Sequence, residues 1–175
     1  MITTEELQLL EKTEGDILFF ISSSADYANS FLKTYKPIDP SIRKNIEFVV
    51  DPSCRSYNKI FDLSNQVKNN LKRPSTVVKN NFLSAVDNLS SKVYSFVYID
   101  TEESAIEELL YKIDKYINLQ GLIICKSVDT SSYSDYINEY SGIITKVHDN
   151  GHVSWYKKKV MRLHKPVKRQ FSNNF

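Results

Sequence analysis

Hydrophobic positions between residues 93 and 125 follow a strand, helix, strand order. Val93 to Ile99 is an apolar run rich in β-branched and aromatic residues. Residues 103–117 then carry apolar side chains at the spacing of one helical face, and 122–125 is a second apolar run. Gln120-Gly121 breaks the helical pattern before that second run. The pattern predicts a βαβ unit with parallel strands and a right-handed crossover.

Other segments extend this alternation along the chain. Helical spacing predicts helices from Thr3 or Thr4, over 25–36, over 54–72, at 83–90 and at 131–140. Asn150-Gly151 lies between the runs 142–147 and 152–158. This dipeptide is typical of a two-residue type I′ turn, so a closing antiparallel hairpin is expected.

Two acids at strand ends complete the pattern: Asp51 after 46–50, and Asp100 after 93–99. The order, the spacing and these acids resemble the class I S-adenosylmethionine-dependent methyltransferases. The resemblance covers residues 1–158 and matches 16–21, 46–51 and 75–83 to the first three strands and the loop after the third. It implies a single α/β, Rossmann-like domain, which leaves a basic tail at 159–175. The implied sheet is seven-stranded and mostly parallel, in the order 3-2-1-4-5-7-6, with helices on both faces and a C-terminal antiparallel hairpin.

The resemblance also implies a cofactor site at the carboxyl edge of the sheet. Asp51 would bind the ribose hydroxyls, and Asn81 with Phe82 would meet the adenine. Asp100 is a weak catalytic candidate. Each acid or amide has a structural alternative: Asp51 as a turn-forming Asp-Pro, Asn81 as part of a polar loop, and Asp100 as a helix cap on the 102–104 turn.

Serines stand where the family has a glycine-rich loop. Ser22, Ser23 and Ser24 follow the first strand, and they add Cβ atoms where a cofactor would press against backbone. A site beside Ser22 and Ser24 is therefore expected to be reshaped or lost, so that S-adenosylmethionine is possible but its absence is favoured. Lys126 stands where metal-dependent members of the family have an acid, and we expect no metal site.

Charge is distributed unevenly along the chain. The last 19 residues hold seven basic side chains and no acid, whereas the rest of the chain holds 16 basic and 21 acidic ones. The basic residues are Lys157, Lys158, Lys159, Arg162, Lys165, Lys168 and Arg169. Such a segment suits nucleic-acid phosphates, an acidic protein or membrane surface, or a solvated extension. A macromolecular partner, nucleic acid or acidic protein, is expected.

Two cysteines, Cys54 and Cys125, have neither metal-ligand spacing nor a disulfide pattern. No apolar run has the length of a membrane span, and the start has no signal-peptide pattern. A reducing, cytoplasmic location is expected.

Three functions remain open from the sequence. The favoured one is a non-catalytic or weakly active methyltransferase-like binding module. The alternatives are an active methyltransferase acting on a nucleic acid or protein, and, less favoured, a small-molecule O-methyltransferase.

Overall fold

A single seven-stranded sheet organises the chain. The structure, a computed structural model, describes residues 2–35, 44–127, 129–141, 146–148 and 151–161. The strand order is β3-β2-β1-β4-β5-β7-β6, with β7 antiparallel to both β5 and β6 and the other pairs parallel. This order confirms the predicted fold class. The strands are β1 (Asp16–Ile21), β2 (Ile46–Val50), β3 (Ser75–Lys79), β4 (Tyr94–Asp100), β5 (Ile117–Cys125), β6 (Lys146–His148) and β7 (His152–Tyr156).

Helices fill the connections, and most are shorter than predicted. They are α1 (Thr4–Lys12), α2 (Asp26–Thr34), α3 (Tyr57–Gln66), α4 (Phe82–Val86), α5 (Glu103–Ile113) and the single turn α6 (Ser134–Tyr136). Thr3 caps α1 in a capping box with Glu6, as the sequence indicated. Helix α3 begins three residues late because Cys54 N donates to Asp51 O in a turn. It is followed by one π-helical turn, Val67–Leu71.

The segment before β5 differs from the prediction. Helix α5 ends at Ile113, and one 3₁₀ turn, Asp114–Tyr116, leads into β5 at Ile117. Gln120-Gly121 therefore lies inside the strand and does not stop the helix. Gln120 has φ of 66°, and the β4–β5 register shifts between Tyr94 and Phe96. Gln120-Gly121 is therefore an irregularity within β5, and glycine inside a strand often marks such a bulge or bend.

Alternating side chains divide the core between the two faces of the sheet. Phe19, Phe31 and Phe96 lie in one buried cluster, on the face of α1, α2 and α3. Phe20 and Trp155 lie in the other, with the apolar side chains of α4 and α5. Burial of these faces, at about 25 cal/mol per Å² of apolar area, holds the layers together.

The C-terminal hairpin is present, but its loop is longer than predicted. The register pairs His148 with His152, so three residues separate the pair where a two-residue turn would leave two. Gly151 has φ of 80°, as expected at the end of a three-residue loop. Asp149 and Asn150 lie outside the described residues. Within the described ranges, no helix is long and apolar enough to cross a membrane.

Candidate functional site

Parallel pairing brings the predicted site residues to one edge of the sheet. Ile21 pairs with Val50 on one side and with Asp100 on the other. The segments that follow β1, β2 and β4 therefore start side by side. This is the carboxyl edge, where open α/β sheets bind ligands.

The serine loop after β1 is folded onto Asp100. The Ser23 amide and hydroxyl donate to Asp100 Oδ2 at 3.0 and 2.8 Å, the Ser24 amide donates to the same oxygen at 3.4 Å, and the Ser22 hydroxyl donates to Oδ1 at 3.3 Å. Asp100 is only 4% exposed. Its carboxylate thus uses the loop amides that would otherwise face a ligand. The expected helix-cap role is wrong: Glu102 is the N-cap of α5, without a side-chain capping bond.

Lys126 closes this cluster from the end of β5. Its Nζ donates to Ser23 Oγ at 2.8 Å and lies 4.0 Å from Asp100 Oδ1. The ammonium offsets the charge of Asp100, so the carboxylate is neither a free base nor an open ligand for a cation. In the described part of the chain, no group of three or more His, Cys, Asp or Glu side chains is arranged to hold a metal ion.

Asp51 stabilises its own turn. Its Oδ1 accepts from the Ser53 amide at 2.9 Å and from the Ser53 hydroxyl at 2.6 Å. This is the arrangement that a turn-forming Asp-Pro predicts. A ribose would have to compete with Ser53 for this oxygen.

Asn81 and Phe82 are likewise engaged within the fold. Asn81 Oδ1 accepts from the amides of Leu83 and Ser84 at 3.0 and 3.3 Å, which makes it the N-cap of α4. Phe82 is 7% exposed and meets Phe20 edge-on, with ring centroids 5.2 Å apart. The ring belongs to the core, so it has little surface to offer an adenine.

A cavity of about 260 Å³ opens beside the serine loop, and its lining includes residues that the sequence did not single out. Tyr27 and Tyr98 stack with centroids 4.3 Å apart, and the Tyr98 hydroxyl lies 3.2 Å from His152 Nε2. Burial, with a smaller contribution from Asp100, raises the pKa of Tyr98. Strand alternation places Tyr98 on the same face as Asp100, and this signal could have identified it. His152, which a position beside a hairpin turn would place at the surface, is only 6% exposed.

These observations do not fit S-adenosylmethionine. The loop carries side chains in place of glycines, its amides bind Asp100, and Asp51, Asn81 and Phe82 are held by internal contacts. Neither Asp51 nor Asn81 lines any of four cavities found among the described residues.

The expected basic surface needs one correction. Lys157 is 3% exposed, and its Nζ donates to Asp114 Oδ2 at 3.1 Å, to Asp114 O at 2.6 Å and to Ile117 O at 3.0 Å. It is therefore a buried structural lysine and cannot contact a partner. Lys158 and Lys159 are exposed. Arg162, Lys165, Lys168 and Arg169 lie outside the described residues.

Comparison with known proteins relates the chain to others at two levels. No protein-family model matches it. A nucleoside triphosphatase I from Heliothis armigera entomopoxvirus is 29% identical over 135 residues, which cover 77% of this chain and 20% of that protein. The chain thus spans about a fifth of the length of this curated relative.

Solved structures share the fold at low identity. A methyltransferase from Geobacter sulfurreducens has a TM-score of 0.57 at 11% identity, covering 91% of this chain and 81% of that one. An rRNA methylase from Streptococcus thermophilus has a TM-score of 0.54 at 10% identity, covering 91% and 99%. A precorrin-6y C5,15-methyltransferase from Geobacter metallireducens has 0.51 at 13%, covering 90% and 91%.

Proposed function

Since this chain has the class I methyltransferase fold, we propose that it is a non-catalytic or weakly active member of that fold that binds a macromolecule. One observation carries the non-catalytic part: the serine loop after β1 is closed onto Asp100 and Lys126. The alternative, an active methyltransferase on a nucleic acid or protein, requires this loop to open.

Opening the loop is costly. Four hydrogen bonds end on the Asp100 carboxylate, and hydrogen bonds to charged groups are worth about 1.5–3 kcal/mol each. Asp100 is buried, so removing these donors would leave its carboxylate with only the Lys126 ammonium, 4.0 Å away, to offset its charge. A ligand of micromolar affinity has only about 8 kcal/mol of binding free energy in total. Tight cofactor binding is therefore opposed by the contacts of the loop.

The partner part of the proposal rests on charge. Without the buried Lys157, the segment 158–175 still holds six basic side chains and no acid. The remainder of the chain carries an acidic excess. A basic segment on an acidic domain attracts polyanions through the segment and not through the domain as a whole.

Other features suit a binding module. The curated relative contains a similar stretch as a fifth of a longer protein, and a module can be carried in that way. The sequence has no G-x-x-x-x-G-K-[ST] motif, so it lacks the phosphate-binding loop of that type. Cys54 and Cys125 are buried and unpaired, which supports a reducing, cytoplasmic location.

Calorimetry with S-adenosylmethionine and its demethylated product tests the non-catalytic part. We expect no binding tighter than about 1 mM, near −4 kcal/mol. Asp62→Ala, an exposed acid on α3, is the matched control for Asp51→Ala. Low-micromolar binding that disappears in Asp51→Ala and persists in Asp62→Ala would overturn the proposal and restore the enzyme.

Deletion of residues 162–175 tests the partner part. The cut spares Met161, which packs against the core. We expect an unchanged urea midpoint and loss of binding to labelled RNA, DNA and an acidic protein, whichever the full chain binds. Unchanged binding to every one of them would show that this segment does not recruit the partner.

A further inference from the structure

Two lysines and a tyrosine, Lys92, Lys115 and Tyr116, form a cluster at the amino edge of the sheet, the edge opposite Asp100. Lys115 Nζ lies 5.1 Å from the centroid of the Tyr116 ring, and Lys92 Nζ lies 5.5 Å from it. Lys92 precedes β4 and Lys115 precedes β5, and both lysines are exposed. The ring thus holds two ammonium groups from different segments close together at the surface.

The buried Lys157 brings Lys158 and Lys159 to the same edge of the sheet. Its Nζ contacts the carbonyl oxygens of Asp114 and Ile117, which bracket Lys115-Tyr116. The amides of Lys158 and Lys159 both donate to Tyr140 O, at 3.1 and 2.9 Å. Met161 and Tyr116 pack against the same hydrophobic cluster. Lys158 and Lys159 are therefore exposed on the same part of the surface as Lys92, Lys115 and Tyr116.

We propose that Lys92, Lys115, Tyr116, Lys158 and Lys159 form one surface that binds single-stranded nucleic acid. This inference rests on the proposed function, and it adds the class of partner and the part of the folded domain that contacts it. The lysines bind phosphates. An unpaired base stacks on the aromatic face of Tyr116, and the lysine ammonium group that it displaces from the ring binds a phosphate.

An aromatic ring among the lysines distinguishes single strands from other polyanions. Duplex phosphates and acidic side chains need only positive charge, whereas an unpaired base gains from stacking, which changes affinity about 5- to 100-fold per base. Tyr116 is only half-buried, so part of its ring is accessible.

Acidic groups set the boundary of this surface. Glu14 and Asp16 line a cavity together with Lys44, and Ser91 and Val93, the neighbours of Lys92, lie on its rim. The carboxylates of Glu14 and Asp16 repel phosphates. The strand is therefore directed from Lys92 across Tyr116 toward Lys158 and Lys159, away from β1.

Fluorescence anisotropy with the full chain and a labelled 20-nucleotide oligo(U), the same length of oligo(dT), and a duplex of equal length tests the surface. We expect single strands to bind more tightly than the duplex. Lys92→Glu/Lys115→Glu is compared with Lys59→Glu/Lys68→Glu, which makes the same charge change at exposed positions on α3 and the turn after it. We expect the first pair to weaken binding at least 10-fold and the control pair less than 3-fold.

Two further measurements separate recognition from net charge. The slope of log affinity against log salt should fall by about 2 in Lys92→Glu/Lys115→Glu, about 1 for each phosphate that is no longer neutralised. Tyr116→Phe keeps the stacking ring and should bind like the unmodified chain. Tyr116→Leu should bind about 10-fold more weakly at an unchanged salt slope, with thermal unfolding followed to confirm that it is folded.

The different failures are distinguishable. Equal weakening in both charge-reversal pairs, equal affinity for duplex and single strand, or no effect of Tyr116→Leu overturns this inference. Binding to an acidic protein alone, abolished by deletion of 162–175, overturns it and leaves the proposed function intact. No binding to any macromolecule, together with tight S-adenosylmethionine binding, overturns both.

Discussion

Replacing Lys157 by Met probes the interaction that fixes the end of β7. The change keeps a long, flexible side chain and removes only the ammonium group. Asp114 would then keep its carboxylate in a fully buried position, 0% exposed, with the Tyr136 hydroxyl at 2.6 Å as a donor. The carbonyl oxygens of Asp114 and Ile117 would also lose the hydrogen bonds that the Lys157 ammonium donates to them.

The expected destabilisation is large. Removing one partner of a buried ion pair costs about 3–5 kcal/mol because the other charge is left uncompensated. A domain of this kind unfolds with about 5–15 kcal/mol in total. At an m-value of about 2 kcal/mol/M, the urea midpoint should fall by roughly 2 M. The measurement is urea unfolding followed by Trp155 fluorescence and circular dichroism.

Two variants test the cause. Lys158→Met changes the same residue type at the next, exposed position and should alter stability by less than about 0.5 kcal/mol. Adding Asp114→Asn to Lys157→Met removes the stranded charge and should recover part of the stability. A cost below about 1 kcal/mol for Lys157→Met, or no recovery in the double variant, would refute this account of the pair.

Three further outcomes follow from local geometry. Gly15→Ala should lower the free energy of unfolding in urea by more than about 2 kcal/mol, because φ is +127° and a Cβ would lie 2.7 Å from Ser95 N. Gly151→Ala should lower it less, because φ is +80° but no atom lies within 4 Å of the added Cβ. Equal losses in the two variants would contradict this reasoning. Asn81→Ala should destabilise by about 1 kcal/mol through loss of the α4 cap, and a neutral effect would argue against that role. Burial raises the pKa of seven described tyrosines, so the stability they contribute is complete below the unfolded value of 10.0 and is lost as pH rises above it. Absorbance at 295 nm should therefore show these seven ionising together with unfolding, and independent titration near pH 10 in a folded protein would contradict it.

Much of the fold follows from local patterns. The runs 16–21, 46–51 and 93–99 are apolar throughout most of their length, as central parallel strands require, and they became β1, β2 and β4. Their order in the sheet came from the resemblance to a known family and not from the runs themselves. Element ends were less predictable: Gln120-Gly121 has the same sequence signature whether it stops a helix or bends a strand, and long-range pairing with β4 decided it.

The contacts of the site were harder to predict because they join distant segments. Nothing in Ser22-Ser23-Ser24 indicates that the acid it binds is Asp100, which is 77 residues from Ser23. In Lys157-Lys158-Lys159 three identical side chains have different surroundings, and only the first is buried, against Asp114, which lies 43 residues away in the sequence. The local roles of Asp51 and Asn81 were, by contrast, among the alternatives that sequence could offer, since their partners lie within three residues.

The antiparallel direction of β7 determines at which end of the sheet the residues after this strand lie. Because β7 runs antiparallel to β5, the residues that follow β7 start beside Gln120. They lie toward the amino ends of the parallel strands, whereas the serine loop lies at the carboxyl ends. Gln120 lies five residues before Cys125, the last residue of β5, so about 17 Å of strand separates this position from the carboxyl edge. The polymer proposed to bind there would contact the amino ends of the parallel strands, with the length of β5 from Gln120 to Cys125 between it and the serine loop. Such binding would leave the hydrogen bonds between the serine loop and Asp100 in place.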